Sequence, residues 1–246
     1  MKDKVVFVTG GGSGIGRACA LAFAARGACV AVVGRTRSKC EAVARKLGEH
    51  ALPITADVAR SVEVQQAIAH TVERFGRLDV VLHSAGISPS GRVTDISEEE
   101  WDTCIATDLT SAFLIAKYAI PHLRTRGGVI LNVAGTFGIR AATGKAAYSA
   151  AKAGLINLSR SIALDYAREG IRCNAICPGY VDTPLTAGVD PAARDAFLDR
   201  FQPLRGVVST DEVAALAVYL ASDAAKMMTG QVFVIDGGQQ AGLFVR

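Results

Sequence analysis

Short, almost uninterrupted apolar runs alternate along the chain with longer segments in which apolar residues recur every three or four positions. The runs fall at residues 4–9, 29–34, 51–55, 80–83, 128–133, 172–177 and 231–235, and Val5-Val6-Phe7-Val8 is typical of them. Runs of this length and β-branched content predict strands, and their lack of polar alternation predicts cover on both faces. The segments between them, at 16–26, 38–47, 62–75, 101–123, 146–168 and 211–220, carry helical spacing. Strands that alternate with helices need crossover connections. The pattern therefore predicts an α/β fold, a doubly wound parallel sheet of about seven strands with helices on both faces, in one domain over residues 1–246.

Two details refine that outline. Ser97-x-x-Glu100 is a capping-box pattern, so the run Glu98-Glu99-Glu100 is the solvated first turn of a helix. Residues 178–208 form the one long stretch without regular pattern, and long loops of this kind tend to be functional. Within it, a segment at about 183–208 is expected to cover a substrate. Its apolar positions Leu185, Val189, Phe197, Leu198 and Phe201 fit either a lid or a helix packed on the domain.

Composition narrows the class of partner. Half of the 246 residues are hydrophobic, enough for a large core, while the net charge of +4 comes from scattered rather than blocked lysines and arginines. No nucleic-acid partner is expected. The apolar run at residues 5–8 is too short for a signal peptide or a span, and no later run approaches about 18 apolar residues. The chain reads as cytoplasmic, without a membrane partner. Cys19, Cys29, Cys40, Cys104, Cys173 and Cys177 are dispersed, and none has zinc-knuckle spacing, so they read as buried thiols and no metal site is expected.

The first strand runs into Thr9-Gly10-Gly11-Gly12-Ser13-Gly14-Ile15-Gly16, and a helical segment follows at once. Glycines permit a tight turn and close backbone approach, while a helix N-terminus offers free N–H groups and a positive dipole end to a pyrophosphate. The spacing Gly10, Gly14, Gly16 is not the common G-x-G-x-x-G, so the turn by itself fits a dinucleotide site or a plain strand-to-helix turn. Further motifs follow in order: Asp57-Val58, Ala85-Gly86, Tyr148-x-x-x-Lys152, Pro178-Gly179-x-x-x-Thr183 and Asp236-Gly237-Gly238. Over essentially its whole length the chain thus resembles the short-chain dehydrogenase/reductase family. The resemblance implies a Rossmann-like fold whose cofactor is cradled by Gly10, Ser13, Gly14, Ile15 and Gly16. It also implies that Asp57, with Val58 beside it, accepts a hydrogen bond from the adenine amino group. Ala85-Gly86 is implied to pass the cofactor ribose, and Pro178-Gly179 to lead into Val181 and Thr183 at the nicotinamide carboxamide.

Cofactor choice has a physical signal. A carboxylate at the end of the second strand would hydrogen-bond the ribose 2′-OH of NAD, but this chain reads Val32-Val33-Gly34-Arg35-Thr36-Arg37. Guanidiniums there can pair with a 2′-phosphate, or remain solvated loop residues. NADP(H) is favoured over NAD(H), although Ser13 stands where NADP-preferring relatives often carry a basic residue.

Residues four apart on a helix share a face, so Tyr148 and Lys152 can enter one pocket. A phenol titrates near pH ~10, and an adjacent ammonium lowers that value toward the range where proton transfer is efficient. In relatives the tyrosine protonates the carbonyl oxygen as hydride arrives, and the lysine also grips the nicotinamide ribose.

Three positions depart from the family pattern. Gly135 falls thirteen residues before Tyr148, where relatives have a serine that orients the carbonyl. Asp108 replaces a helix asparagine that helps hold a water-linked proton relay, and His83 begins a His-Ser-Ala-Gly stretch where Asn-Asn-Ala-Gly is usual. Thr136 is the neighbouring hydroxyl that can take the serine's part, and Asp108 can keep Lys152 cationic. One well-placed donor is worth on the order of 10²–10³ in rate, so its loss weakens catalysis without abolishing it. Two readings follow: an NADP(H)-dependent oxidoreductase acting on a secondary alcohol or ketone, or an NADP-binding protein with weak or no turnover, serving as a sensor or non-catalytic subunit. For the enzyme, 3-oxoacyl and polyol or sugar substrates are both open. Relatives imply a homotetramer, or a homodimer, paired through the helices at 101–123 and 146–168 and through the C-terminal strands. The terminal Leu243-Phe244-Val245 is a further candidate interface segment.

Overall fold

The computed structural model describes residues 1–244, so Val245 of the candidate terminal interface lies outside the described residues. The seven apolar runs form seven strands: β1 (Val5–Thr9), β2 (Cys29–Gly34), β3 (Ala51–Thr55), β4 (Val80–His83), β5 (Gly128–Val133), β6 (Ile171–Pro178) and β7 (Val232–Ile235). They make one sheet in the order β3-β2-β1-β4-β5-β6-β7. Every pairing is parallel. The order reverses between β1 and β4, where Thr9 stands in register with His83. Crevices at such a reversal, beyond the carboxyl ends of the strands, are where open α/β sheets bind ligands.

Alternate residues of each strand supply the two cores. Val6, Val8, Val30, Val32 and Leu82 pack against Ala18, Phe23, Val43 and Val213. These come from helices α1 (Gly14–Ala24), α2 (Arg37–Leu47) and α8 (Thr210–Ala221). Val5, Phe7, Val33, Val81 and Ile130 face the other way, onto Ile68, Ile115, Ile120 and Ile162. Those side chains belong to α3 (Ser61–Phe75), α5 (Ser111–Leu123) and α6 (Ala146–Tyr166). Continuous apolar strands are thus explained by burial on both sides.

Two helical features differ from the sequence reading. The segment at 101–123 begins earlier, as α4 (Glu98–Ile105) with the expected Ser97/Glu100 capping box, and joins α5 through a π-helical turn at Ala106–Thr110. An 18-residue window of the helix Glu98–Leu123 reaches a mean hydropathy of 1.2, and the helix is long enough to cross a membrane, although no single apolar run showed it. Slightly more than half of its apolar window, 56%, is buried inside the fold, as for a core helix. Inside the irregular stretch lies α7 (Pro191–Phe201), capped by Asp190 and with proline in its first turn. Only Leu198 of that helix is buried, which is why its apolar periodicity is faint.

Candidate active site

The carboxyl ends of β1, β2, β4, β5 and β6 open into a cleft of about 640 Å³. One end is built by the glycine-rich turn. Ser13 is the N-cap of α1, yet its side chain makes no capping hydrogen bond, so the first N–H groups of the helix are left for another acceptor. A Cβ on Gly16 would strike the Gly10 carbonyl, and one on Gly14 would press on Thr183 at 3.2 Å. The turn therefore closes only with glycine, and the 183–184 segment already lies against it. An elongated anionic ligand fits these free donors and this backbone-lined floor.

The sequence-derived cofactor residues mostly converge here. Gly10, Ser13, Gly14, Ile15, Arg35, Val58, Ala85, Gly86, Pro178, Gly179, Val181 and Thr183 all line the cleft, as do Thr136, Tyr148 and Lys152. Gly16, Asp57 and Asp108 are not on its wall. Asp57 is not a helix N-cap, because α3 starts at Ser61 with Arg60 before it. Its Oδ1 instead accepts the Ala59 N–H at 3.0 Å in a tight turn, while its own N–H donates to Glu63.

Of the two candidate phosphate-pairing arginines, Arg35 borders the cleft. Arg37 points outward along α2 and pairs with Glu41 at 2.7 Å. Lys39 takes the second place at the cleft, beside Thr36, whose side chain leaves the start of α2 uncapped. Sequence reading missed Lys39 because it lies within a helix. Its position two residues beyond Arg37, in the first turn, was the available signal.

Tyr148 and Lys152 share one face of α6, as their spacing requires, with Lys152 Nζ 5.5 Å from the centre of the tyrosine ring. Lys152 Nζ donates to the Val133 carbonyl at 3.1 Å and lies 3.1 Å from Asp108 Oδ2. That carboxylate oxygen makes no aligned hydrogen bond, so the pairing is one of charge. Asp108 Oδ1 accepts the Ile87 N–H at 2.8 Å, which ties the π-turn to the strand-end segment. A Cβ on Gly86 would sit 2.8 Å from Asp108 Oδ2 and 3.3 Å from Lys152 Nζ. Glycine at 86 therefore admits the ion pair behind the cleft wall.

Electrostatics here correct one sequence expectation. Burial raises the Tyr148 pKa above its ordinary value; Lys152 lowers it, but Asp108 opposes the lysine. The net direction is upward rather than downward. Burial also works against the charge on Lys152, yet Asp108 and Tyr148 outweigh it and leave the lysine pKa raised. The lysine is a firm cation, and the phenol holds its proton.

Gly135 occupies φ 154° and ψ 161°, a backbone region that side chains rarely adopt. A Cβ there would lie 3.3 Å from the Tyr148 hydroxyl. Position 135 is thus adjacent to the proton-bearing oxygen but contributes no side chain. Thr136 follows it in a short 3-10 turn, buried and on the cleft wall.

His83 is structural in its contacts. It is fully buried, with Nδ1 2.9 Å from Thr9 Oγ1 and Nε2 3.1 Å from Ser111 Oγ. Thr9 Oγ1 also accepts the Ser84 and Ala85 N–H groups, so this network fixes the strand end that lines the cleft. Burial, with a smaller effect from Lys152, pushes the imidazole pKa down to about 3.

Comparison with known proteins agrees with this geometry. A family model described as enoyl-(acyl carrier protein) reductase matches residues 10–240. The chain is 36% identical over 240 residues to meso-2,3-butanediol dehydrogenase of Serratia marcescens, covering 97% of this chain and 95% of that one. It is 40% identical over 244 residues to cis-4-hydroxycyclohexanecarboxylate dehydrogenase of Sinomonas cyclohexanicum, covering 97% of each. Among solved structures, 3-ketoacyl-(acyl-carrier-protein) reductase from Brucella melitensis complexed with NADH superposes with a TM-score of 0.91. Its identity is 31%, with 97% of this chain and 98% of that chain covered.

Proposed function

Because the chain belongs to the short-chain dehydrogenase/reductase family, we propose that it is an NADP(H)-dependent oxidoreductase interconverting a secondary alcohol and a ketone. The single observation that carries this reading is the placement of Tyr148 and Lys152 on the wall of the same cleft that the glycine-rich turn floors. In this reading the N–H groups of Gly14, Ile15 and Gly16 hold the pyrophosphate beside Gly10 and Ser13, and Arg35 with Lys39 and Thr36 meets a 2′-phosphate. Asp57 and Val58 flank the adenine, and Ala85 and Gly86 pass the ribose. Pro178, Gly179, Val181 and Thr183 flank the nicotinamide, with Tyr148 and Lys152 at its ribose. A nicotinamide held there supplies or accepts the hydride.

The chain's own residues handle the proton. Tyr148, kept protonated by burial and by Asp108, gives its proton to the carbonyl oxygen in reduction. Lys152 holds positive charge beside the phenolate that remains, and Asp108 anchors that lysine. We read Gly135 as standing where relatives have their carbonyl-orienting serine, and Asp108 where they have their asparagine. Thr136 is then the nearest hydroxyl for the carbonyl. The segment at about 183–208 covers the substrate, with Leu185, Val189 and Phe197 toward the cleft. The protein is cytoplasmic in this proposal and assembles as a homotetramer or homodimer. Relatives named for a diol and for a hydroxy acid leave both 3-oxoacyl and polyol classes as candidate substrates.

The test is NADPH oxidation against a panel of ketones. Tyr148→Phe is expected to reduce the rate at least about 10²-fold, the scale of a lost general acid, while NADPH still binds. Undiminished turnover in that variant would remove the role of Tyr148. A second reading, an NADP-binding protein with weak or no catalysis, is favoured by the bare backbone of Gly135 beside the Tyr148 hydroxyl. Tight NADPH binding without turnover on any ketone would select it.

A further inference from the structure

Lys145, at the N-cap of α6 and three residues before Tyr148, is a second cation on the chemical side of the cleft. Its Nζ donates to the Ser88 carbonyl at 3.2 Å, to Ser88 Oγ at 3.0 Å and to Ser90 Oγ at 2.8 Å. Among the described residues no carboxylate lies within ion-pairing distance of it. The other nearby charges are already matched: Lys152 by Asp108, Arg92 by Asp95, and Arg194, from α7, by Asp195. Each serine hydroxyl that accepts from the ammonium must turn its own proton elsewhere, and no acceptor among the described residues takes either proton. The cluster thus combines one unmatched positive charge with two O–H donors polarised by it. That donor set is complementary to an anion.

A purely structural role is already filled by backbone. The Gly91 N–H donates to the Gly144 carbonyl at 2.9 Å, and Gly91 bridges Lys145, so the 88–91 segment is tied to the start of α6 without the lysine side chain. Burial lowers the Lys145 pKa, which makes an added negative partner favourable. Ser88, Phe137, Lys145 and Tyr148 all border the cleft, and Phe137 meets the Tyr148 ring edge-on at 6.5 Å. A helical turn advances ~5.4 Å, so an acid group at Lys145 and a carbonyl at Tyr148 belong to one short molecule.

We propose that Lys145, Ser88 and Ser90 form an anion subsite that takes the carboxylate of a short-chain oxo or hydroxy acid whose carbonyl or carbinol stands at Tyr148. This deepens the oxidoreductase reading above and rests on it for the carbonyl end. The binding test does not depend on turnover. Calorimetric titration of the cofactor-saturated protein with butanoate and with butanamide should give at least about tenfold tighter binding of the acid, the scale of a charge-assisted hydrogen bond. Lys145→Gln should bring that ratio close to one. The Ser88→Ala and Ser90→Ala double variant should lower it several-fold and keeps the lysine should Lys145→Gln fail to fold. Equal binding of acid and amide, or an acid preference that survives in both variants, overturns the subsite. Acid preference without any Tyr148-dependent reduction of 3-oxobutanoate leaves the subsite standing and removes the oxidoreductase reading. Reduction of 3-oxobutanoate and its methyl ester with equal kcat/KM does the reverse.

Discussion

At the scale of single residues, the site depends on what each group is denied as much as on what it touches. His83 is denied water and charge: its pKa of about 3 lies far below the ordinary value for an imidazole, ~6.5. The unfolded chain therefore binds a proton that the folded chain refuses between those values. Its contribution to stability is present above pH ~6.5 and is lost as pH falls toward 3, at about 1.4 kcal/mol per pH unit. His83→Asn removes the titration. The stability lost between pH 6.5 and pH 5, read by urea unfolding, is expected to shrink by about 2 kcal/mol in that variant. An unchanged pH dependence would contradict the buried neutral imidazole. Gly135 is denied a side chain. On the proposed reading position 135 is where a carbonyl-orienting serine belongs, so Gly135→Ser is an obvious repair, but the backbone at φ 154° opposes it. The substitution is expected to cost about 1–3 kcal/mol of stability. Its rate gain should fall short of the 10²–10³ that a well-placed donor supplies. Thermal melts and ketone-reduction kinetics on the same preparation check both. The residue types Gly135, Asp108 and His83 were legible in the sequence as differences from the expected family pattern. Their consequences were not, because the Asp108–Lys152 charge pairing and the Gly135 dihedral depend on how distant segments meet.

At the scale of elements, the strands were legible nearly to the residue, since burial on both faces writes an unbroken apolar run. The helix at 146–168 was equally plain, and with it the shared face of Tyr148 and Lys152. One element escaped and one stayed ambiguous. The π-turn at Ala106–Thr110 leaves no mark in apolar spacing, and α7 buries one side chain, so its apolar positions fitted a lid as well as a packed helix. The capping signal Asp190-Pro191 was present but stood inside a stretch that otherwise read as loop. The same limit applies to the start of α2. Sequence pointed to Arg35 and Arg37 together, whereas the helix turns Arg37 outward to Glu41 and brings Lys39 to the cleft. On the proposed reading, cofactor selectivity belongs to that helix start. Arg35→Asp replaces the proposed phosphate-pairing cation by a carboxylate suited to a ribose 2′-OH. It is expected to shift the NADPH-to-NADH ratio of kcat/KM toward NADH by at least about tenfold, the scale of one charge-assisted contact. A ratio that stays constant would mean that Arg35 does not meet the 2′-phosphate.

At the scale of the molecule, several apolar side chains on the helices that the proposed assembly would pair remain uncovered. Leu164 on α6 is 82% exposed and Phe113 on α5 is 49% exposed. In a lone protomer such side chains are an energetic liability, and in a symmetric oligomer they become contact surface. Light scattering should report a mass two or four times that of the chain, and Leu164→Glu should lower it at micromolar concentration. A monomeric wild type would dismiss the assembly proposal. Within the chain, α1 and α8 share one apolar cluster, Ala18, Ala20 and Phe23 meeting Val213, Ala214, Ala217 and Val218. This pairing has a consequence for the order of synthesis. The helix that covers the back of the glycine-rich turn is translated nearly two hundred residues after it. Until then the apolar face of α1 has no partner on that side, so over that interval the nascent chain carries an unfinished cofactor end in need of protection from aggregation.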